Sequence, residues 1–217
     1  MNNLRFPFTG SDLLPAFSSQ AGQDLFVLGV LNGKTNGTYL EIGSGPAVTL
    51  SNTYMLETQF GWRGAGVEIS EFWYNEHKSL PRKHYIELGD ATSIDYTSLL
   101  IKAGITTTDI DYASVDCDPP NNTFAALTRL PFDTHRFAVL TFEHDAYAWG
   151  DEYKQKSRDF LTSKGYELVV TNIKPTSDQG DFEDWWVHPG LVDPAVIERF
   201  KRTDDNPKLW HAYIFLG

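Results

Sequence analysis

Glu41, Glu68, Asp90, Asp116, Asp118, Glu143 and His144 each fall at or just beyond the end of a short apolar run. If those runs are parallel strands, their ends share one edge of a sheet, which is where α/β folds bind ligands. An acid closing a strand there is suited to accept hydrogen bonds from ribose hydroxyls, so Glu68 points to a nucleoside-type cofactor. Asp116, Asp118, Glu143 and His144 form a second group. Neighbouring strands lie ~5 Å apart, so carboxylates on two strand ends can converge. Such oxygens with one imidazole suit Mg2+ or Mn2+ held by Asp116, Glu143 and His144. An ion there lowers the pKa of a substrate hydroxyl. Asp116, Asp118 and His144 are the candidate catalytic groups, His144 being able to take the proton directly. The plainer reading makes these residues strand-terminal caps and ion pairs, with His144 in the packing.

The elements that must place these groups can be read from hydrophobic spacing. Thr38–Ile42 is short, apolar and β-rich, and Gly43-Ser44-Gly45-Pro46 breaks it. Leu50, Tyr54, Met55 and Leu56 recur at helical spacing up to a stop at Gly61, and Gly64–Ile69 is a second buried strand. Upstream, Gln20–Leu31 predicts a helix behind an N-terminal arm over residues 1–18. Downstream, the pattern predicts a helix over Glu71–Leu80, a strand over Tyr85–Leu88 and a helix over Asp95–Ala103. A strand over Asp111–Val115 and a helix over Asn121–Leu130, capped by Asn121 or Asn122, come next. The apolar run Phe137–Phe142 suits a central parallel strand. Asp151–Lys164 reads as a helix, Tyr166–Ile173 as a strand and Phe182–Val187 as an antiparallel partner. Pro194–Arg202 is a short helix, and Leu209–Leu216 a last strand or docking tail. Alternating β and α over one domain, 1–217, implies a doubly wound, mostly parallel seven-stranded sheet with an antiparallel strand near the C-terminus.

The glycine turn narrows the cofactor. A dinucleotide site wants G-x-G-x-x-G/A, but counting from Gly43 puts Val48 at the third position. A carboxylate at the turn suits a cofactor with a cationic amino-acid tail better than a pyrophosphate. Glu41-Ile-Gly43-Ser-Gly45-Pro-Ala47 resembles motif I of class I S-adenosylmethionine-dependent methyltransferases, with Ala47 replacing the third glycine. Ser19-Gln20-Ala21-Gly22-Gln23-Asp24-Leu25, Leu50-Ser51-Asn52-Thr53, Gly61-Trp62-Arg63-Gly64, Ser114-Val-Asp116-Cys-Asp118 and Phe142-Glu143-His144 look like segments of the FkbM-type methyltransferases, in that family's order. The resemblance implies a Rossmann-like fold, S-adenosyl-L-methionine as cofactor and commonly O-methylation of sugars or secondary metabolites. It implies a cofactor site of Glu41, Gly43, Gly45, Asn52, Glu68 and Asp90. In it Glu41 lies near the methionine amino group, Glu68 holds the ribose hydroxyls and Asp90 contacts the adenine amine. On the residues alone, Asp90 is equally a helix cap.

Composition bounds the partners. The chain has 217 residues, 41% hydrophobic, with a net charge of −11. That charge argues against a nucleic-acid partner, which would call for a Lys/Arg surface. Cys117 is the only cysteine, so no internal disulfide forms. No signal-peptide core and no 18-residue apolar run occurs, so the chain reads as cytoplasmic with no membrane partner. The acceptor expected is a small molecule or glycan, whose apolar face could meet Tyr147, Trp149 or Trp186, while Trp185 is expected in the core. Two alternatives stay open. Asp118-Pro119-Pro120-Asn121 resembles the D-P-P-Y motif of amino-methyltransferases acting on adenine, with Asn121 in place of the stacking aromatic. The fold could also serve as a noncatalytic cofactor-binding module.

Overall fold

The computed structural model describes residues 3–216. Met1, Asn2 and Gly217, at the ends of the expected arm and domain, lie outside the described residues. The arm is not a loose tail. Leu4, Phe6, Phe8 and Leu14 are buried in the core, and the Phe6 ring lies 4.1 Å from that of Phe200. The buried Asp24 carboxylate fastens its end, accepting from Ser18 N at 2.9 Å and Ser19 Oγ at 2.6 Å. Burial pushes that carboxyl up, against the hydrogen bonds that pull it down.

In chain order the elements are α1 (Gln23–Val30), β1 (Thr38–Ile42), α2 (Tyr54–Phe60), β2 (Arg63–Glu68), α3 (Glu71–Ser79), β3 (Tyr85–Leu88), α4 (Tyr96–Lys102), β4 (Asp109–Val115) and α5 (Pro120–Arg129). Then come β5 (Arg136–Glu143), α6 (Ala146–Trp149), α7 (Glu152–Ser163), β6 (Glu167–Lys174), β7 (Glu183–Val187), α8 (Pro194–Phe200), β8 (Lys208–Leu209) and α9 (Trp210–Ile214). The sheet order is β3-β2-β1-β4-β5-β7-β6-β8. Strands β1 to β5 pair in parallel, and β7 runs antiparallel between β5 and β6. This is the expected doubly wound α/β sheet. The eighth strand is two residues long and pairs only with the end of β6. The segment expected as a last strand or tail, Leu209–Leu216, instead turns into α9, burying Trp210, Tyr213 and Ile214.

Two cores cover the two faces. One gathers the arm, α1, α2, α8 and α9; the other gathers α4, α5 and α7. Alternation in a strand sends neighbouring side chains to opposite faces. Trp185 accordingly enters the first core, stacked on Phe26 at 4.5 Å, and Trp186 enters the second. Both are fully buried, so Trp186 is not available to an acceptor. Helix α2 begins later than the spacing implied. Leu50 sits at φ 63, exposed, and the Ser51 hydroxyl accepts from Tyr54 N at 3.2 Å to start the helix there. Among the described residues, no helix is long and apolar enough to cross a membrane. Replacing Trp185 by Ala should cost about 3–5 kcal/mol in urea unfolding. Trp149→Ala, on an exposed side chain, should stay within about 0.5 kcal/mol.

Candidate functional site

The order β3-β2-β1-β4-β5 reverses direction between β1 and β4, and a cleft of about 330 Å³ opens at the carboxyl ends there. Gly43 and Gly45 form its floor, with Glu68 and Asp90 on one side and Asp116, Asp118 and Asn122 on the other. Ile69, Trp73, Ala91 and Thr92 supply apolar walls. Gly43, at φ 75, admits no side chain, because a Cβ would lie 1.6 Å from the Asp116 carbonyl oxygen. Gly45, at φ 55, has nothing within 4 Å of such an atom. One glycine is needed for close packing and the other for its left-handed backbone.

Glu68 ends β2 as the sequence suggests. Its carboxylate accepts from Gly45 N and Ser70 N, both at 2.7 Å. Asp90 lines the cleft too, but it is not the cap of a helix. It closes a turn by accepting from Thr92 N at 2.8 Å and Thr92 Oγ1 at 2.7 Å, which hold its carboxyl below the usual range. The cap of α4 is Asp95, accepting from Ser98 N. Asn52 stands over β4, where its Nδ2 donates to Ser114 Oγ at 2.9 Å, and its Oδ1 is buried with no hydrogen-bond partner. Ser44 Oγ is likewise unpartnered. Neither residue lines the cleft, so Asn52, expected at the cofactor, sits behind the glycine turn instead.

Glu41 departs from expectation. It does not line the cleft; it lies behind the turn, 2% exposed, and accepts from Thr53 Oγ1 at 2.9 Å. Burial raises its carboxyl to about 7, against the pull of Arg82. The reason is strand geometry: Glu41 alternates with Leu40 and Ile42, whose face is the other core. What it meets is a buried polar network that the sequence reading missed. Arg82 Nε donates to Glu57 Oε2 at 3.0 Å, with both side chains 1% exposed. The guanidinium also grips the Ala47 carbonyl and donates to Thr53 Oγ1 at 2.9 Å. The signal lay in Arg82-Lys83-His84, three basic residues between a helix and a strand, easily taken for a solvated loop.

The second group of acids does assemble. Asp116, Asp118 and Glu143 each offer an oxygen, all within 4.8 Å of one another. Burial, and the mutual repulsion of the two carboxylates, push Glu143 well up; Asp116 is also pushed up, chiefly by burial. His144 must be removed from the set, both as ligand and as base. Its Nδ1 accepts from Ala146 N at 3.2 Å, and its Nε2 faces Asp184 Oδ1 at 3.6 Å in the core. Burial alone would raise Asp184, but His144 and the Arg158 guanidinium bring it below the usual carboxylate range. Asp145 takes the place expected of His144. It sits at φ 47, a left-handed turn that swings it toward Asp118, and its Oδ1 is buried without a partner. Burial and Asp118 raise its carboxyl. An acid immediately after an apolar strand was visible in the sequence; the backbone turn that aims it was not.

Pro119 precedes α5, and Pro120 is its first residue, so neither Asn121 nor Asn122 is the cap. Beyond the acids, Tyr147 and Trp149 stay exposed on α6, whose Trp149 N donates to Asp145 O.

Solved structures share this fold. A Clostridium thermocellum protein provisionally assigned as an rRNA methylase superposes with TM-score 0.55 at 14% identity, over 80% of this chain and 97% of that one. Magnesium protoporphyrin IX methyltransferase from Synechocystis, with bound S-adenosylmethionine, gives 0.51 at 17% identity, over 78% and 79%. A human methyltransferase 10 domain-containing protein gives 0.51 at 12%, over 78% and 81%. The chain therefore has the class I methyltransferase fold. The sequence matches no family model and no curated protein, so the FkbM-type resemblance rests on its motifs.

Glu41, held near 7, and Glu183, raised by burial to about 8, keep protons that the unfolded chain has already released. Unfolding then releases protons, so stability falls as pH rises through this range. Each group contributes a slope of up to about 1.4 kcal/mol per pH unit. The metal-free protein should melt at a higher temperature at about pH 6.5 than at pH 8. A calorimetric Tm that is flat or rises over that interval would contradict these protonation states.

Proposed function

We propose that this chain is an S-adenosylmethionine-dependent methyltransferase of FkbM type that methylates a hydroxyl of a sugar or small metabolite. The carrying observation is the cleft that joins a glycine turn and a strand-ending Glu68 to Asp116 and Asp118 beyond β4, which converge in turn on Glu143 of β5. The donors and acceptors present fit the cofactor. Glu68 faces the cleft with acceptor capacity left over, and Ile69, Trp73 and Ala91 give apolar surface beside Asp90. When bound, the cofactor supplies a methyl group made electrophilic by its sulfonium.

The protein's part is alignment, shielding and proton removal. With the cofactor held by Glu68 and the glycine turn, the acids at the ends of β4 and β5 would hold the acceptor hydroxyl toward the methyl group that it supplies. The hydroxyl proton passes to the Asp145 carboxylate, which burial and the neighbouring acids make readier to take one up. Asp116, Asp118 and Glu143 are the residues that would hold Mg2+ or Mn2+, and the unpartnered Asp145 Oδ1 beside them supports a cation there. Such an ion would lower the pKa of the acceptor hydroxyl.

The acceptor class follows from charge. With a net −11 and acids clustered where the acceptor must sit, a polyanion is repelled at long and short range. A neutral hydroxyl-rich molecule meets no such cost, and its apolar face can rest on Trp149. The rRNA and porphyrin acceptors named for two neighbours belong to those proteins. An enzyme keeps a polar cleft beside the cofactor sulfur, and the acids lining this one support that reading over a noncatalytic remnant, whose cleft would be filled or left open.

Calorimetry with S-adenosylmethionine should show Glu68→Ala weakening binding by about one to two orders of magnitude, the loss of charge-assisted hydrogen bonds. Unchanged affinity, or a tight preference for NAD, sinks the cofactor reading. Methyl transfer to a hydroxylated acceptor should fall at least about tenfold after chelation and return with Mg2+ or Mn2+. Full activity after chelation leaves the acids as a metal-free base site.

A further inference from the structure

Gly45 is the least supported part of the cleft floor. Its backbone is left-handed, and no atom lies within 4 Å of where a Cβ would stand. Packing therefore does not fix its peptide groups; hydrogen bonds must. Its N–H is held by Glu68, a residue of the site itself. Its carbonyl is held from behind, by His77 Nε2 at 3.0 Å. His77 is 2% exposed on α3, and its other nitrogen, Nδ1, meets His84 Nε2 at 3.0 Å. His84 Nδ1 in turn lies 3.0 Å from Arg82 Nη2 and 3.0 Å from the Tyr39 hydroxyl.

Every proton in this chain is assigned by its two ends. A carbonyl oxygen can only accept, so His77 Nε2 carries hydrogen. A guanidinium can only donate, so His84 Nδ1 is bare. The link between the rings must then run from His84 Nε2–H to His77 Nδ1. Both imidazoles are neutral, in the Nε2–H form, and a proton added to either would set two donors face to face. The surroundings agree. Burial first, and then Arg82, lower both histidines, His84 to about 2. Lys78 adds to this at His84, while Glu76 and Glu57 oppose it at His77.

We infer that His77 and His84 are positioning residues of the glycine turn. They form a proton-ordered relay that carries the fixed direction of Arg82 to the Gly45 carbonyl and so anchors the Gly45–Pro46 peptide at the back of the turn, next to the peptide whose N–H bonds Glu68. Arg82 holds the same turn further along through the Ala47 carbonyl, and Glu76 accepts from Ala47 N at 2.7 Å. The relay thus holds the one polar group of Gly45, its carbonyl, that no charged side chain touches directly. Its consequence for ligand binding rests on the cofactor reading given above; its proton arrangement does not.

The first measurement is on the unaltered protein. Nitrogen-15 chemical shifts of the His77 and His84 rings should report neutral Nε2–H tautomers for both from about pH 8 down to pH 5.5, well below the ordinary histidine pKa. An Nδ1–H tautomer or an imidazolium in that range overturns the relay, whatever the protein binds. The second is S-adenosylmethionine affinity by calorimetry. His77→Phe, which keeps a ring but loses the donor, should bind about tenfold more weakly, the worth of one hydrogen bond. His77→Gln, whose amide can donate to the Gly45 carbonyl, should recover most of that loss at equal or lower Tm. Equal affinity in wild type and His77→Phe overturns the positioning role. A wild type that does not bind the cofactor sinks the functional reading instead, and leaves the tautomers to decide the relay.

Discussion

At Gly43 the chain passes so close to the Asp116 carbonyl that no side chain fits, and the functional edge of the molecule depends on that approach. Gly43 N and Ser44 N both donate to Val67 O, and Asp116 N donates to Ile42 O. The three strand ends β1, β2 and β4 are therefore locked in register at the place where the helices diverge to opposite faces. A cleft at this point follows from topology, since the sheet reverses there. Its depth follows from glycine. A Cβ at 43 would push β4 outward and carry Asp116, and with it the acid group, away from Glu68.

Around this fixed point the charges divide unequally. Behind the turn, the buried Arg82 is matched by Glu57, and the two histidines beside it are neutral. Taking charges from water is costly unless hydrogen bonds replace the lost solvent. Here they do, because the guanidinium finds partners in Glu57, Thr53, His84 and the Ala47 carbonyl. In front of the turn, Asp116, Asp118 and Glu143 converge beside Asp145, and burial raises Asp116, Glu143 and Asp145. A satisfied network holds the backbone, while an unsatisfied one holds acceptor capacity in reserve. That contrast distinguishes scaffold from site more sharply than burial does.

The parallel strands could be read in the sequence because each is a short apolar run ending in an acid or a glycine, a pattern set by local geometry. Trp185 could be placed for the same reason, since alternation obliges one of two adjacent tryptophans to enter a core. That both do so required knowing that β7 is covered on each face. Glu41 shows the opposite limit. Its position at a strand end was legible, but its partner Thr53 comes from the next helix and its neighbour Arg82 from a stretch 41 positions away, contacts that only the tertiary fold creates. His144 and Asp145 differ by one position, and a single left-handed residue exchanges their roles. The imidazole goes to the core and the carboxylate turns toward Asp118. Residue type names the available chemistry, and the backbone decides which group delivers it.

Glu68 brings these strands of argument together. An ionised carboxylate has about four lone-pair sites, and the backbone N–H groups of Gly45 and Ser70 occupy two of them. Two remain, on a carboxylate that lines the cleft. The same bonds make Glu68 rigid, so a diol that binds it meets a carboxylate already oriented and loses little entropy in ordering it. One of them comes from Gly45, whose carbonyl, in the next peptide along, is held by His77 from behind. The affinity available at Glu68 is therefore set partly by residues that no ligand touches. It runs from a buried cation, through two neutral rings and a glycine, to the acid that faces the cleft.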